Sequence, residues 1–193
     1  MSSEKTSTKF RILEATRKLL ESGDKNVRMS DIAKAVGISR QALYLHYPNR
    51  ADLLIATTRH IDVLNKVDER LARSRAAASG VERLDAYIEA WGGYIPMIHG
   101  ISVALRAMRI NDPEAAEAWN ERMAAVRHGC EAAVDALSRE GKLKPDQTSK
   151  DATDLLWTLL SVENWERLVR ESGWSQEEYE AAMKKLAGAA LVA

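Results

Sequence analysis

Donor, acceptor and methyl-bearing side chains are concentrated in one short segment, RMSDIAKAVGISRQALYLHYPNR, which runs from position 28 to position 50. Ile32 and Val36 are four residues apart and share one face of a short predicted helix. Gly37 is expected to end that helix, because glycine adopts without a Cβ clash the positive φ that often follows a helix. Ser39 is a typical N-cap residue for the next helix. The spacing therefore predicts two short helices joined by a tight turn.

The second of these helices is predicted to present a polar outer surface. Leu43 and Tyr47 are four residues apart and face inward, so the remaining side chains point outward. Their types suit the base edges and phosphates of duplex DNA. With the flanking positions, the candidate DNA-contacting residues are Arg28, Ser30, Ser39, Arg40, Gln41, Ala42, Tyr44, Leu45, His46 and Arg50.

Position along the second helix divides these residues by role. Arg40 and Gln41 lie at its start and are expected to read bases. Tyr44, His46 and Arg50 lie on its flank or at the start of the next helix, and are expected mainly to hold phosphates. The alternative is a helical hairpin without DNA contacts.

The sequence from Leu43 to Arg50, LYLHYPNR, resembles the recognition helix of the tetracycline-repressor (TetR) family. In that family, LY-x-H-aromatic is followed by a short turn and by a basic residue that opens a long helix. The resemblance implies an all-α fold: a three-helix head for DNA binding, residues 1–50, and a larger helical domain for effector binding and dimerisation, residues 51–193.

Charge is distributed unevenly along a chain whose formal net charge is zero. Residues 1–50 contain ten Lys or Arg against five Asp or Glu, and residues 51–193 contain eighteen against twenty-three. A basic head attracts phosphate, whereas an acidic remainder discourages nonspecific coating of DNA. Chance variation among solvated faces is the alternative explanation.

Composition favours a mostly helical protein that acts in the cytoplasm. The chain has 193 residues, of which 46% are hydrophobic and 6% aromatic, which is enough for a sizeable core. No apolar run approaches the roughly twenty residues that span a bilayer, and the N-terminus has no apolar signal region. We expect no membrane partner. The single cysteine, Cys130, cannot form an intramolecular disulfide.

Beyond position 50 the apolar pattern predicts longer helices. One is expected from 51 to about 74 and another from 81 to about 98, and Asp112-Pro113 is expected to start a third. The last two helices begin near Ser149 and, with a capping box, at Ser175. Both are apolar, and the last one is rich in alanine. In the TetR family the corresponding helices form a four-helix dimer interface; the alternative is that they close the core of one protomer.

The middle of the chain contains residues suited to a pocket for a small apolar or aromatic effector. They are large or adaptable side chains, with three polar ones that would need a partner when buried. The candidate effector-binding residues are Trp91, Tyr94, Met97, His99, Met108, Trp119, Met123, Trp157, Glu163 and Asn164. Each of the aromatic and methionine residues has ordinary core packing as its alternative.

No constellation of residues indicates an enzyme. The four histidines are too far apart for a His-x-x-x-His pair, and no nucleophile elbow, phosphate-binding glycine loop or dinucleotide fingerprint is found. We expect no catalytic residues, no metal site and no cofactor.

The predicted function is a homodimeric transcriptional repressor that releases operator DNA on binding an effector. An activator of the same fold, or a helical protein that binds a protein partner, is the alternative.

Overall fold

The computed structural model describes residues 7–22 and 26–193, and within them the regular secondary structure is helical, with one isolated bridge between Leu143 and Val192. The predicted all-α fold is confirmed. A π-helical turn, Glu166–Glu171, continues α10. The helices are α1 (Thr8–Glu21), α2 (Met29–Val36), α3 (Arg40–His46), α4 (Arg50–Leu64), α5 (Val67–Arg75), α6 (Gly80–Gly92), α7 (Ile95–Met108), α8 (Pro113–Arg139), α9 (Ser149–Leu159), α10 (Val162–Trp165) and α11 (Gln176–Leu191).

Contacts between residues divide the described chain into two compact units. The first contains the described residues up to Leu64 together with Ile98–Arg122, and the second contains Asn65–Met97 together with Met123–Ala193. Residues 51–64 and 98–122 therefore pack with the N-terminal helices. The division into residues 1–50 and 51–193 is a division by function and stays a prediction.

The first unit has a small core that holds α1, α2 and α4 together. Ile12 and Leu20 on α1 are fully buried, as are Ile32 on α2 and both Leu53 and Leu54 on α4. The N-terminus of α1 is capped by Ser7, whose hydroxyl accepts a hydrogen bond from the Phe10 amide at 3.2 Å. The sequence predicts that this helix ends at Gly23, a position outside the described residues. This core is the platform that carries α3.

The second unit is built on close approaches between α6 and the later part of α8. A Cβ atom at Gly80 would lie 2.8 Å from the backbone nitrogen of Leu137, and one at Gly129 would lie 2.4 Å from the hydroxyl oxygen of Tyr87. The Tyr87 hydroxyl donates to the carbonyl oxygen of Val126 at 2.8 Å. Glycine is needed at both positions because any side chain would push the two helices apart.

Two of the predicted helix boundaries are wrong. The helix expected from 51 to about 74 is broken after Leu64, where Lys66 has a φ of 53°. The helix expected to reach residue 98 ends at Gly92, and Pro96 lies in the first turn of α7 instead. Proline is tolerated in a first helical turn because amides there have no intrahelical acceptor. The predicted capping box at Ser175 is present, with Glu178 as its partner.

Candidate nucleic-acid interface

The helix-turn-helix is held by local hydrogen bonds that follow from its sequence. Gly37 has a φ of 76°, and the amides of Gly37 and Ile38 both donate to the carbonyl oxygen of Ala33, at 3.0 and 3.1 Å. Ser39 then caps α3, its hydroxyl accepting from the Ala42 amide at 3.1 Å. The predicted glycine turn and serine cap are confirmed. The two helices thus have a defined relative orientation.

Buried side chains determine which face of α3 points outward. Leu43 is fully buried and Tyr47 is 5% exposed, while α2 contributes Ile32, Ala33 and Val36 to the same core. Burying this much apolar surface fixes the rotation of a helix too short to be stable alone. The opposite face of α3 is therefore presented to solvent by packing in the protein.

The outward face of α3 carries most of the predicted DNA-contacting residues. Arg40 donates to the hydroxyl of Tyr44 at 3.2 Å, and its guanidinium carbon lies 5.5 Å from the centre of the Tyr44 ring. Gln41 and His46 are exposed, and neither side chain contacts another described residue through a hydrogen bond or ion pair. Leu45 is 88% exposed. The exposed residues of this face, with Ser39 preceding it, are Ser39, Arg40, Gln41, Tyr44, Leu45 and His46, whereas Ala42 is half-buried.

Basic and polar residues extend this face at the start of α2. Arg28 and Ser30 are both exposed, and the Arg28 amide donates to a carboxylate oxygen of Asp31 at 3.3 Å. Together with Arg40 and Tyr44 they line one open hollow of about 630 Å³. Lys34, which the sequence reasoning missed, is exposed in the last turn of α2. The sequence feature that could have identified Lys34 is a basic residue at an outward position of the helical pattern.

Arg50 is the exception among the predicted DNA-contacting residues. Only 10% of its side chain is exposed, and its Nε donates to the carbonyl oxygen of Val27 at 2.6 Å. Its Nη1 donates to Asp112 at 2.5 Å and its Nη2 points to the Sδ of Met108 at 3.4 Å, while its amide donates to Glu114 at 3.2 Å. These internal partners occupy the guanidinium in the structure, and the role of Arg50 in holding phosphate stays a prediction.

The acidic partners of Arg50 were also missed by the sequence reasoning. Asp112 was identified only as the N-cap of α8, a role that it has: its Oδ1 accepts from the amides of Glu114 and Ala115 at 3.1 and 3.2 Å. Its second carboxylate oxygen binds Arg50. No local pattern pairs residues 62 positions apart, so the sequence held no signal for this contact.

Three of the candidate effector residues belong to the first unit. Met108 and Trp119 are each 4% exposed, and the Arg109 guanidinium carbon lies 5.2 Å from the centre of the Trp119 ring. Because Met108 also faces Arg50, both side chains have internal partners. His99 is half-buried.

The other candidate effector residues belong to the second unit and differ in exposure. Trp91 is 8% exposed and its Nε1 donates to the carbonyl oxygen of Leu160 at 2.7 Å; Tyr94 is 4% exposed and packs edge-on against it. The amide of Asn164 donates to the carbonyl oxygens of Thr158 and Leu159, at 2.8 and 3.2 Å. Asn164 thereby caps the C-terminal end of α9. Met97 and Glu163 are exposed, and Met123 and Trp157 are half-buried.

These contacts give Asn164 a structural role, and the prediction that it binds an effector stays a prediction. Its side-chain amide nitrogen has two acceptors at the end of α9, so it satisfies backbone carbonyls that a helix C-terminus leaves open.

Within the described ranges, 7–22 and 26–193, no group of three or more His, Cys, Asp or Glu residues is placed to hold a metal ion. Within the same ranges, no helix has the length and apolar character needed to cross a membrane. Burial raises the pKa of the Cys130 thiol to about 12, so this group stays protonated near neutral pH.

Comparisons with known proteins converge on one family. Residues 12–57 match the family model of bacterial regulatory proteins of the tetR family. The HTH-type transcriptional repressor LfrR of Mycolicibacterium smegmatis is 27% identical over 135 residues, or 69% of this chain. That match spans 66%, just under two thirds, of the relative's length.

Solved structures share the fold over almost the whole chain. A proposed transcriptional regulator from Saccharomonospora viridis, in complex with choline, has a TM-score of 0.72 at 20% identity and covers 96% of this chain and 97% of its own. The regulator FadR from Bacillus subtilis, in complex with stearoyl-CoA, has a TM-score of 0.72 at 16% identity and covers 93% and 97%. The match to the family model falls on the residues that build α2 and α3, so the helix-turn-helix of this chain is similar to that of the TetR family of transcriptional regulators.

Proposed function

We propose that this protein is a repressor that binds operator DNA as a homodimer through α3 and releases it when a small molecule binds. One observation carries the proposal: packing of Leu43 and Tyr47 leaves a face of unpaired or exposed donor and acceptor side chains on α3. Such a face has the dimensions of an element that enters the major groove. A regulator of chromosomal genes acts in the cytoplasm, where we place it.

Base reading and phosphate binding are assigned to different residues. Arg40 and Gln41 are proposed to bind base edges, because both extend from the outward face of α3. Arg28, Tyr44 and His46 are proposed to bind phosphates beside the groove. Ser30, Ser39, Ala42 and Leu45 complete the surface.

A homodimer is proposed to place two copies of α3 on one duplex. One copy of a seven-residue helix offers little contact area, and a two-fold dimer doubles it. Apolar residues of the last two long helices support α9 and α11 as the interface: Leu155 and Leu186 are 45% and 49% exposed, and Leu159 is half-buried. Met183 is a poor probe of this interface, since it is only 3% exposed within the protomer.

The effector is proposed to be a small, largely apolar or aromatic molecule. Proteins of this fold hold small-molecule ligands: one structure contains choline, a small cation, and another contains stearoyl-CoA, which carries a long apolar chain. Among the candidate residues of the second unit, Met97, Met123 and Trp157 have side chains that are not fully buried. A ligand there that favours the conformation with low DNA affinity would release the operator.

The test of DNA binding begins with selection of duplexes from a random pool. Affinity for the selected duplex is then measured by fluorescence anisotropy for the wild type, Arg40→Ala, Gln41→Ala and the control Lys185→Ala, an exposed residue on α11. We expect the two α3 variants to lose about tenfold or more, with Gln41→Ala also changing the preferred sequence. The proposal fails if no duplex is selected, or if Arg40→Ala and Gln41→Ala both bind as tightly as the wild type and the control.

The dimer and the effector are tested separately. Sedimentation of Leu155→Glu should show weakened dimerisation because a charge would be desolvated in the interface, whereas Val63→Glu on α4 should leave the dimer intact.

The effector test uses any compound that shifts tryptophan fluorescence. If the compound weakens DNA binding by a given factor, operator DNA must weaken binding of the compound by the same factor. A tight ligand whose affinity is unchanged by saturating operator contradicts the release mechanism.

A further inference from the structure

We propose that Leu45 reads the C5 methyl group of a thymine in the major groove, one or two base pairs from the base that Gln41 contacts. This inference rests on the proposed DNA-binding function and adds a chemical identity to one operator position. Two observations support it: Leu45 is 88% exposed, and it lies on the face of α3 opposite the buried Leu43.

The position of Leu45 follows from the buried residue on the opposite face. Successive residues of an α-helix are rotated by about 100°. Counting from the fully buried Leu43, Gln41 and Leu45 lie within about 20° of the direction pointing straight away from the core. These two residues, four apart, therefore form the outermost stripe of α3. A helix that enters a groove places this stripe deepest.

The chemistry of Leu45 selects its contact. The major-groove edges of base pairs present hydrogen-bond donors and acceptors and a single apolar group, the thymine methyl. Leucine has no polar side-chain atom, so the methyl is the one edge group that it can bind without leaving a base donor or acceptor unpaired. The side chain gains apolar burial only when that methyl is present.

The charge around the stripe favours a nucleic acid as its occupant. Helix α3, RQALYLH, has no acidic residue, and Arg40 flanks the stripe. Lys34 on α2 and Arg28 at the start of α2 are also exposed. An apolar stripe for a protein partner would be expected to include more than one exposed apolar side chain, whereas the neighbour of Leu45 on the stripe is the polar Gln41.

The spacing of the stripe limits where the thymine lies. Four residues of helix advance about 6 Å, and base pairs are stacked about 3.4 Å apart. The contacts of Gln41 and Leu45 are therefore separated by at most about two base-pair steps. Glutamine binds adenine through its N6 and N7 atoms, so each half-site is expected to contain two A·T pairs at this spacing.

The experiment removes the methyl group from the DNA and the side chain from the protein. Each thymine of the selected operator is replaced in turn by deoxyuridine, which lacks only the C5 methyl. Affinities are measured for the wild type, Leu45→Ala, Leu45→Asn and the control Val63→Ala. Val63 is 75% exposed on α4 and serves as a matched apolar residue outside α3.

We expect one thymine per half-site at which deoxyuridine weakens wild-type binding about threefold or more. Val63→Ala should show the same loss, while Leu45→Ala and Leu45→Asn should bind the two duplexes equally. Because Leu45 is exposed, both variants should keep the wild-type unfolding temperature. Equal losses in the wild type and Leu45→Ala, or no sensitive thymine, overturn this inference and leave DNA binding intact. A protein that binds no duplex overturns the proposed function as well.

Discussion

The outward face of α3 and the aromatic effector candidates of the second unit, Trp91, Tyr94 and Trp157, were both predicted to bind ligands. The two groups differ in exposure and in their internal partners. On α3, Gln41 and His46 are exposed and unpaired among the described residues. Among the aromatic effector candidates, Trp91 is buried and its indole donates to a backbone carbonyl. Side chains of the first kind are available to a partner molecule, whereas those of the second kind already stabilise the protomer.

The difference predicts opposite responses to mutation. Substitutions of Gln41 and His46 on α3 should change DNA binding and leave folding unaffected, because these side chains make no hydrogen bond or ion pair with the described residues. Substitutions of the buried aromatic effector candidates should lower stability first, because they remove packing and a satisfied hydrogen bond. Four stability measurements test this contrast.

The largest expected effect is that of Trp91→Ala. Removing a buried indole should lower the free energy of unfolding by about 3–5 kcal/mol, measured by urea denaturation. Trp174→Ala is the control, since Trp174 is 38% exposed and should cost under about 1 kcal/mol. A small loss for Trp91→Ala would mean that Trp91 lines a cavity, and the contrast with α3 would then fail.

Arg50→Ala should produce the second largest loss of stability. Breaking a buried ion pair costs about 3–5 kcal/mol, but Asp112 and Glu114 are 25% and 44% exposed, so we expect about 2–3 kcal/mol. The control Arg59→Ala breaks an ion pair with Glu121 in which the arginine is 64% exposed, and should cost under about 1 kcal/mol.

The same Arg50 variant tests the predicted role of Arg50 in holding phosphate. With the guanidinium held inside the protein, Arg50→Ala should not change the dependence of DNA affinity on salt concentration. A salt slope lower by about one would show that Arg50 leaves Asp112 and binds phosphate in the complex.

Sequence reasoning succeeded where local chemistry determines a side chain's direction. Gly37, Ser39 and the four-residue spacing of Leu43 and Tyr47 act over less than two helical turns, so their pattern fixed the turn, the cap and the outward face. The same reasoning predicted the capping box that starts α11.

It failed where the outcome depends on distant residues. A basic residue at the start of a long helix matches the TetR pattern, yet Arg50 turns inward because Asp112 and Glu114 approach it from 62 and 64 positions away. Composition likewise cannot tell a pocket residue from a core residue. Trp91 and Trp157 are the same residue type, and only packing makes one buried and the other half-buried.

Asn164→Ala tests a polar member of the predicted effector set. The variant loses hydrogen bonds to the Thr158 and Leu159 carbonyls, so we expect a loss of about 1–1.5 kcal/mol in stability. Asn120→Ala, at an exposed position of α8, should change stability by no more than about 0.5 kcal/mol. If the two variants are equally stable, the end of α9 does not depend on Asn164 and its assignment as a structural residue is wrong.

The smallest expected effect is a pH dependence around Glu89 in the second unit. A hydrogen bond from Lys184, aided by the charge of Arg73, holds the pKa of the Glu89 carboxyl below its ordinary value. In the first unit, Arg17 and His60 lower the pKa of Glu14 in the same way. Because the folded protein has the lower pKa, each carboxylate contributes stability above about pH 4.5, and that contribution is lost as pH falls through the folded-state pKa.

Glu89→Gln should therefore lose less stability than the wild type between pH 7 and pH 4. Glu89 is 32% exposed, so solvent screening keeps the difference under about 1 kcal/mol. Urea denaturation at the two pH values measures it, with Glu69→Gln as the control, since Glu69 is 71% exposed and pairs with Lys66. Parallel losses in the wild type and Glu89→Gln would show that the pair with Lys184 does not stabilise the second unit.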